Sequence, residues 1–157
     1  MKQVIIVRKD LHMSIAKFAV QCCHASMAFI KENIRVEIED YYNYDDFDDF
    51  DDFDDVSYPR NIVEISYDEI NWFEDTQTKI ICEAKNKNKL LKCKEYASEL
   101  GLKEDEDYFI IRDRCFTELI PEEIDEEGNK CTITAIGFRP LPNDIAEKIS
   151  KHYQLYK

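Results

Sequence analysis

Residues 3–7, QVIIV, form a short, nearly continuous apolar run rich in β-branched side chains, the pattern of a buried central strand. A polar turn over residues 8–13 leads through Ser14, a suitable N-cap, into a helix predicted over residues 15–31. At about 100° per residue, Ile15, Phe18, Ala19, Cys22, Ser26 and Ile30 fall on one broad face, expected toward the core. Lys17, Gln21 and His24 cluster within about 60° on the opposite side, so the polar trio is expected to share one surface. Further along, a short helix is predicted over residues 67–75 with the sole tryptophan, Trp72, and a strand over 79–84. Another helix runs from the lysine-rich residues 85–94 to the capping glycine Gly101. Strands at 108–111 and 132–137 and a closing helix at 143–153 follow. This order predicts an α/β protein, a three-layer α/β/α sandwich around a four-stranded mixed sheet. Ligands of such sheets sit at the carboxyl ends of the strands.

The chain has 157 residues and a net charge of −13, which at face value disfavours a polyanionic partner. The charge is local. Residues 32–58 hold twelve acidic residues against Arg35 alone, −11 of the total, and leave −2 for the rest. Bulk charge therefore does not exclude an RNA substrate. The tract 45–55, DDFDDFDDFDD, carries eight carboxylates with no cation among them and too little apolar area to offset ordering, so a loop is expected there. Docking of its phenylalanines on a partner, weak cation binding, or mimicry of a polyanion beside a basic site are the sharper readings. The expectation is one domain over residues 1–157 with an acidic insertion at about 33–66. Six cysteines without a C-x-x-C pair or a secretory apolar region near residue 1 read as reduced thiols of a cytoplasmic protein. No apolar run approaches the roughly 18 residues of a membrane span.

Polar groups gather at three strand ends: Lys17, Gln21 and His24 after the first strand, Asp113 and Thr117 after the third, and Thr132 opening the fourth. Periodicity alone leaves alternatives open for each, namely a solvated helix edge, a turn residue and a structural histidine. The lysines Lys85, Lys87, Lys89, Lys92 and Lys94 read either as a solvated helix face or as a patch that steers a phosphate backbone.

The order and spacing of these residues resemble the peptidyl-tRNA hydrolases of the archaeal and eukaryotic class. That family opens with R-x-D-L-x-M and K-x-A-x-Q-x-x-H-A, here Arg8, Asp10, Leu11, Met13, Lys17, Ala19, Gln21, His24 and Ala25. Its W-x(4)-Q-x-K pattern stands as Trp72, Gln77 and Lys79, its turn D-x-G-x-T-E as Asp113, Thr117 and Glu118, and its T-x-x-A-I-G strand as Thr132, Ala135, Ile136 and Gly137. The resemblance covers residues 1–31 and 71–157. Three departures stand out: Cys115 occupies the glycine position of the turn, one glycine-flanked lysine before Lys17 is replaced, and the loop before Thr132 is longer and acidic. If the turn needs a positive φ, Cys115 implies strain or rearrangement.

The resemblance implies hydrolysis of the ester between a peptidyl group and tRNA, without metal or cofactor, on an RNA substrate, by a chain that dimerises as family members often do. It implies that Asp113 orients or deprotonates the attacking water, that Thr117 and Thr132 fix water and ester, and that Lys17 stabilises the oxyanion or a phosphate. Gln21 and Arg8 are implied on the substrate side, with His24 as an orienting group rather than the base. Two other classes compete: a tRNA-binding module that has lost hydrolysis, motivated by Cys115, and an interaction protein that works through the DDF tract.

Overall fold

The computed structural model describes residues 1–39 and 58–157, so the DDF tract lies outside the described residues. The elements run β1 (Gln3–Arg8), α1 (Ile15–Glu32), β2 (Ile34–Glu39), β3 (Tyr58–Val63), α2 (Tyr67–Glu74), β4 (Lys79–Ala84), α3 (Lys87–Glu99), β5 (Tyr108–Asp113), β6 (Glu123–Ile124), β7 (Lys130–Phe138), α4 (Asn143–Ser150) and β8 (Gln154–Leu155). The main sheet has the order β5-β7-β1-β4-β8, with β6 added on β7. It is mixed, since β1 pairs parallel with β4 and antiparallel with β7, which is itself antiparallel to β5. The four predicted strands are its long ones, with β5 at one edge, and the two-residue strands β6 and β8 extend it to six.

Strand β1 is buried along its whole length, as its apolar run requires. Its side chains alternate between two cores. Val4 and Ile6 meet Leu90, Cys93 and Ala97 of α3 and Ile149 of α4, whereas Ile5 and Val7 meet Ala25 and Phe29 of α1 and Trp72 of α2. The helices thus cover both faces of the sheet.

One element is added and one expectation is corrected. The flanks of the acidic tract, to which the sequence reading assigns no element, are strands: β2 and β3 pair as an antiparallel ribbon from Ile34↔Val63 to Glu39↔Tyr58. The alternation of Ile34, Val36 and Ile38 is the strand signal there. Helix α1 is also rotated from the predicted orientation. It buries Gln21, Ala25 and Phe29, spaced four apart, while Ile15 stands in solvent. A polar residue replaces the expected apolar one because its amide is satisfied on both sides, as described next.

Candidate active site

Because β1 and β5 both run antiparallel to β7, their carboxyl ends open at one edge of the sheet, where the first half of β7 begins. Arg8 ends β1, Asp113 ends β5, and Thr132 is the register partner of Asp113. Helix α1 starts at the same edge, capped by the Ser14 hydroxyl on the Lys17 amide. Its distance from the sheet is set by Gly137. A Cβ at that position would lie 2.2 Å from the Ala25 carbonyl oxygen, so α1 rests on bare backbone. Buried Gln3 fastens the same contact, donating to the carbonyls of Ser26 and Phe138 at 2.9 Å and accepting from the Ser26 hydroxyl at 2.8 Å.

This close seating brings Lys17 Nζ to 2.6 Å from Asp113 Oδ2, and Gln21 Nε2 to 2.8 Å from the same oxygen. The Gln21 carbonyl oxygen accepts from the Thr134 hydroxyl at 2.6 Å. Thr134 can reach it because the register steps from Ile111↔Ala135 to Arg112↔Ile133, which leaves Thr134 as the extra residue of a β-bulge. Asp113 Oδ1 accepts the Cys115 amide at 2.9 Å. Burial alone would raise the Asp113 pKa, but the Lys17 ammonium, the Cys115 amide and the Gln21 amide outweigh it and hold the carboxyl below its ordinary value. The side chains of Lys17 and Asp113 remain 14% and 11% exposed, so the pair is reachable.

The other predicted residues separate into groups. Thr117 joins the pair, its Oγ1 3.4 Å from Lys17 Nζ. Thr132 borders the site, but its hydroxyl donates to the Ile120 carbonyl at 2.8 Å and accepts the Glu122 amide at 3.1 Å, which makes it an anchor for the loop after Thr117. His24 is exposed on α1, apart from the trio it was expected to share. Arg8 is 3% exposed, and all five of its N–H groups are engaged by Asp10, Glu122 and the Ile133 carbonyl. It has no donor left for a substrate. Sequence reasoning missed Thr134, whose one signal is a hydroxyl inside the apolar run of β7, and gave no role to the motif residue Glu118, which accepts the Ser14 amide and hydroxyl at 2.5 and 2.6 Å.

A part-buried lysine–carboxylate pair at a sheet edge does not by itself name a family, and the whole sequence narrows the choice. The sequence model of the peptidyl-tRNA hydrolase PTH2 family matches residues 1–156. The chain belongs to that family. Its relatives include the peptidyl-tRNA hydrolases of Staphylothermus marinus, 30% identical over 98% of this chain and 93% of theirs, and of Thermococcus onnurineus, 25% identical over 98% and 96%. The human mitochondrial peptidyl-tRNA hydrolase 2 is 25% identical over 99% of this chain and 64% of its own length.

Within this hydrolase, Cys115 keeps the turn. It adopts φ +58°, its amide holds Asp113, and its thiol donates to the Asp113 carbonyl at 3.3 Å. The left-handed conformation costs a non-glycine residue about 1–2 kcal/mol, which the two bonds offset. All six cysteines are free, and burial pushes the Cys22 thiol up to about 11, which leaves no activated nucleophile there. Among the described residues no helix is long and apolar enough to cross a membrane.

Proposed function

We propose that this chain hydrolyses the ester joining a peptidyl group to the 3′ ribose of tRNA, with Asp113 and Lys17 as the working pair. The observation that carries this reading is the incomplete saturation of the pair. Asp113 receives three hydrogen bonds, two on Oδ2 and one on Oδ1, so a lone pair on Oδ1 stays open. Lys17 donates to Asp113 and weakly to Thr117, which leaves a third N–H for a ligand.

The chemistry follows from those two positions. A water that donates to Oδ1 is oriented toward the ester carbonyl, and its oxygen forms the new bond to the acyl carbon. Negative charge builds on the carbonyl oxygen, where the ammonium of Lys17 stabilises it. Collapse breaks the bond to the ribose oxygen, and the proton lost by water passes to that oxygen, giving free peptide acid and tRNA. Gln21, fixed by Thr134, holds the carboxylate so that Oδ1 rather than Oδ2 faces the water. Thr117 carries a hydroxyl at the exposed mouth for water or ester, and Thr132 steadies its loop. The substrate class makes the compartment of translation, the cytoplasm, the expected location; homodimerisation is the family expectation that sedimentation tests.

Release of labelled peptide from an N-blocked aminoacyl-tRNA, without added metal, tests the reading. Turnover by the wild-type protein that Asp113→Asn removes supports it. Salt-dependent tRNA binding without release favours the non-hydrolytic binding module instead.

A further inference from the structure

The loop just past Asp113 holds an aromatic ring out in water. Phe116 is 90% exposed, yet both of its neighbours are anchored in the site: Cys115 gives its amide to Asp113, and Thr117 places its hydroxyl 3.4 Å from Lys17 Nζ. One residue on, Glu118 is bonded to the amide and hydroxyl of Ser14. The ring is therefore displayed by a fixed loop rather than by a slack one. Two more large apolar side chains stand free on the segments that this bond ties together, Ile15 at 89% and Ile120 at 83% exposed. Large apolar side chains left in water on the segments that border a polar centre are the composition of a binding surface.

We propose that Phe116 is the platform on which the base of the tRNA's 3′-terminal nucleotide stacks, with Ile15 and Ile120 on the adjoining segments extending the apolar rim; this rests on the hydrolase reading above. The scissile ester sits on the ribose that carries this base, so the base lies one sugar away from the carbonyl that Lys17 and Asp113 address. Phe116 is adjacent in the chain to the residues that contact each member of that pair. Stacking requires only a π-face, and aromatic side chains are the usual partners of unpaired bases in RNA recognition. The terminal base is common to the substrates whereas the acyl side varies, which suits a single fixed ring to the base.

The test compares an N-blocked aminoacyl ester of adenosine with the same acyl ester of a base-free riboside. Phe116→Ala is expected to raise KM for the adenosine ester about tenfold, with kcat within about twofold, and to leave the base-free ester unchanged; Phe116→Tyr restores KM. An unchanged KM, or an equal loss on both esters, overturns the proposal, the latter assigning Phe116 to the acyl group. A binding arm separates this from a failure of the hydrolase reading. Wild-type protein is expected to bind an acceptor-stem hairpin about tenfold tighter with its 3′-terminal nucleotide than without it, and Phe116→Ala to lose that preference whether or not any ester is hydrolysed. A wild-type protein that binds both hairpins equally overturns the stacking role.

Discussion

Two cation–carboxylate clusters lie at the same edge of the sheet, and they differ in saturation. Around Arg8 every N–H has an acceptor, two carboxylates face one guanidinium, and the side chain is buried. Around Lys17 one carboxylate oxygen receives both the ammonium and the Gln21 amide, while the other receives a single amide. Both cations stand in sequence patterns shared with a hydrolase family, Arg8 at the end of β1 and Lys17 just after it, so motif membership alone does not separate them. Counting donors and acceptors does. A closed cluster fixes the loop that carries Glu122, and an open one has the capacity to take a water and an oxyanion.

The largest expected effect falls on the open pair. On the proposed mechanism, Asp113→Asn removes the charge that orients water while keeping the shape, and kcat should fall by about 10³-fold, with the fold retained and the melting temperature lowered by only a few degrees as the Lys17 ion pair is lost. The wild-type pH profile belongs to the same prediction. Asp113 titrates below its ordinary 3.8 in the folded protein, so its carboxylate contributes stability above the unfolded value and loses that contribution as pH falls through the lower folded value. Activity should accordingly show no acid limb from Asp113 between pH 8 and 5. A limb centred near 6 that vanishes in Asp113→Asn would place the residue in a different environment.

The closed cluster should respond in the opposite currency. Arg8→Met leaves Asp10 and Glu122 facing each other without their cation, and unfolding in urea should show a loss of about 3–5 kcal/mol, with kcat per folded molecule within about threefold of wild type. A collapse in kcat without loss of stability would return Arg8 to the substrate and erase the distinction between the clusters.

Smaller effects follow from the supports. Gly137→Ala forces a Cβ against the Ala25 carbonyl, moves α1 away from β7 and stretches the contacts of Lys17 and Gln21 to Asp113. The expected cost is about 1–3 kcal/mol of stability together with about tenfold in kcat, read by denaturation and peptide release on the same preparation. Cys115→Gly should change stability by about 1 kcal/mol or less and leave kcat untouched, since it relieves the φ of +58° without altering the amide on Asp113.

The central strands and the helices were legible in the sequence because their signals are local. The run 3–7, the Ser14 cap, the KIICEA run of β4 and the capping Gly101 each announce themselves within a few residues. The β2–β3 ribbon was obscured because its strands flank an acidic tract and β3 contains Pro59, even though Ile34, Val36 and Ile38 alternate. The two-residue strands β6 and β8 are too short for any period. In the site, the motif brought Lys17, Gln21, Asp113 and Thr117 into view. It did not separate them from Arg8 or His24, because saturation is a property of three-dimensional neighbours. Thr134 was hidden for a related reason: a bulge shifts which residue meets the helix, and strict alternation has no place for it.

The claim that Lys17 and Asp113 work as one unit is tested most directly by a double-mutant cycle on peptide release from N-blocked aminoacyl-tRNA. With Lys17→Met, Asp113→Asn and the pair combined, the double variant is expected to be about as slow as the slower single variant, because either change already dismantles the unit. Losses that multiply in the double variant would mean that the two residues act independently, and the open-pair mechanism would be wrong.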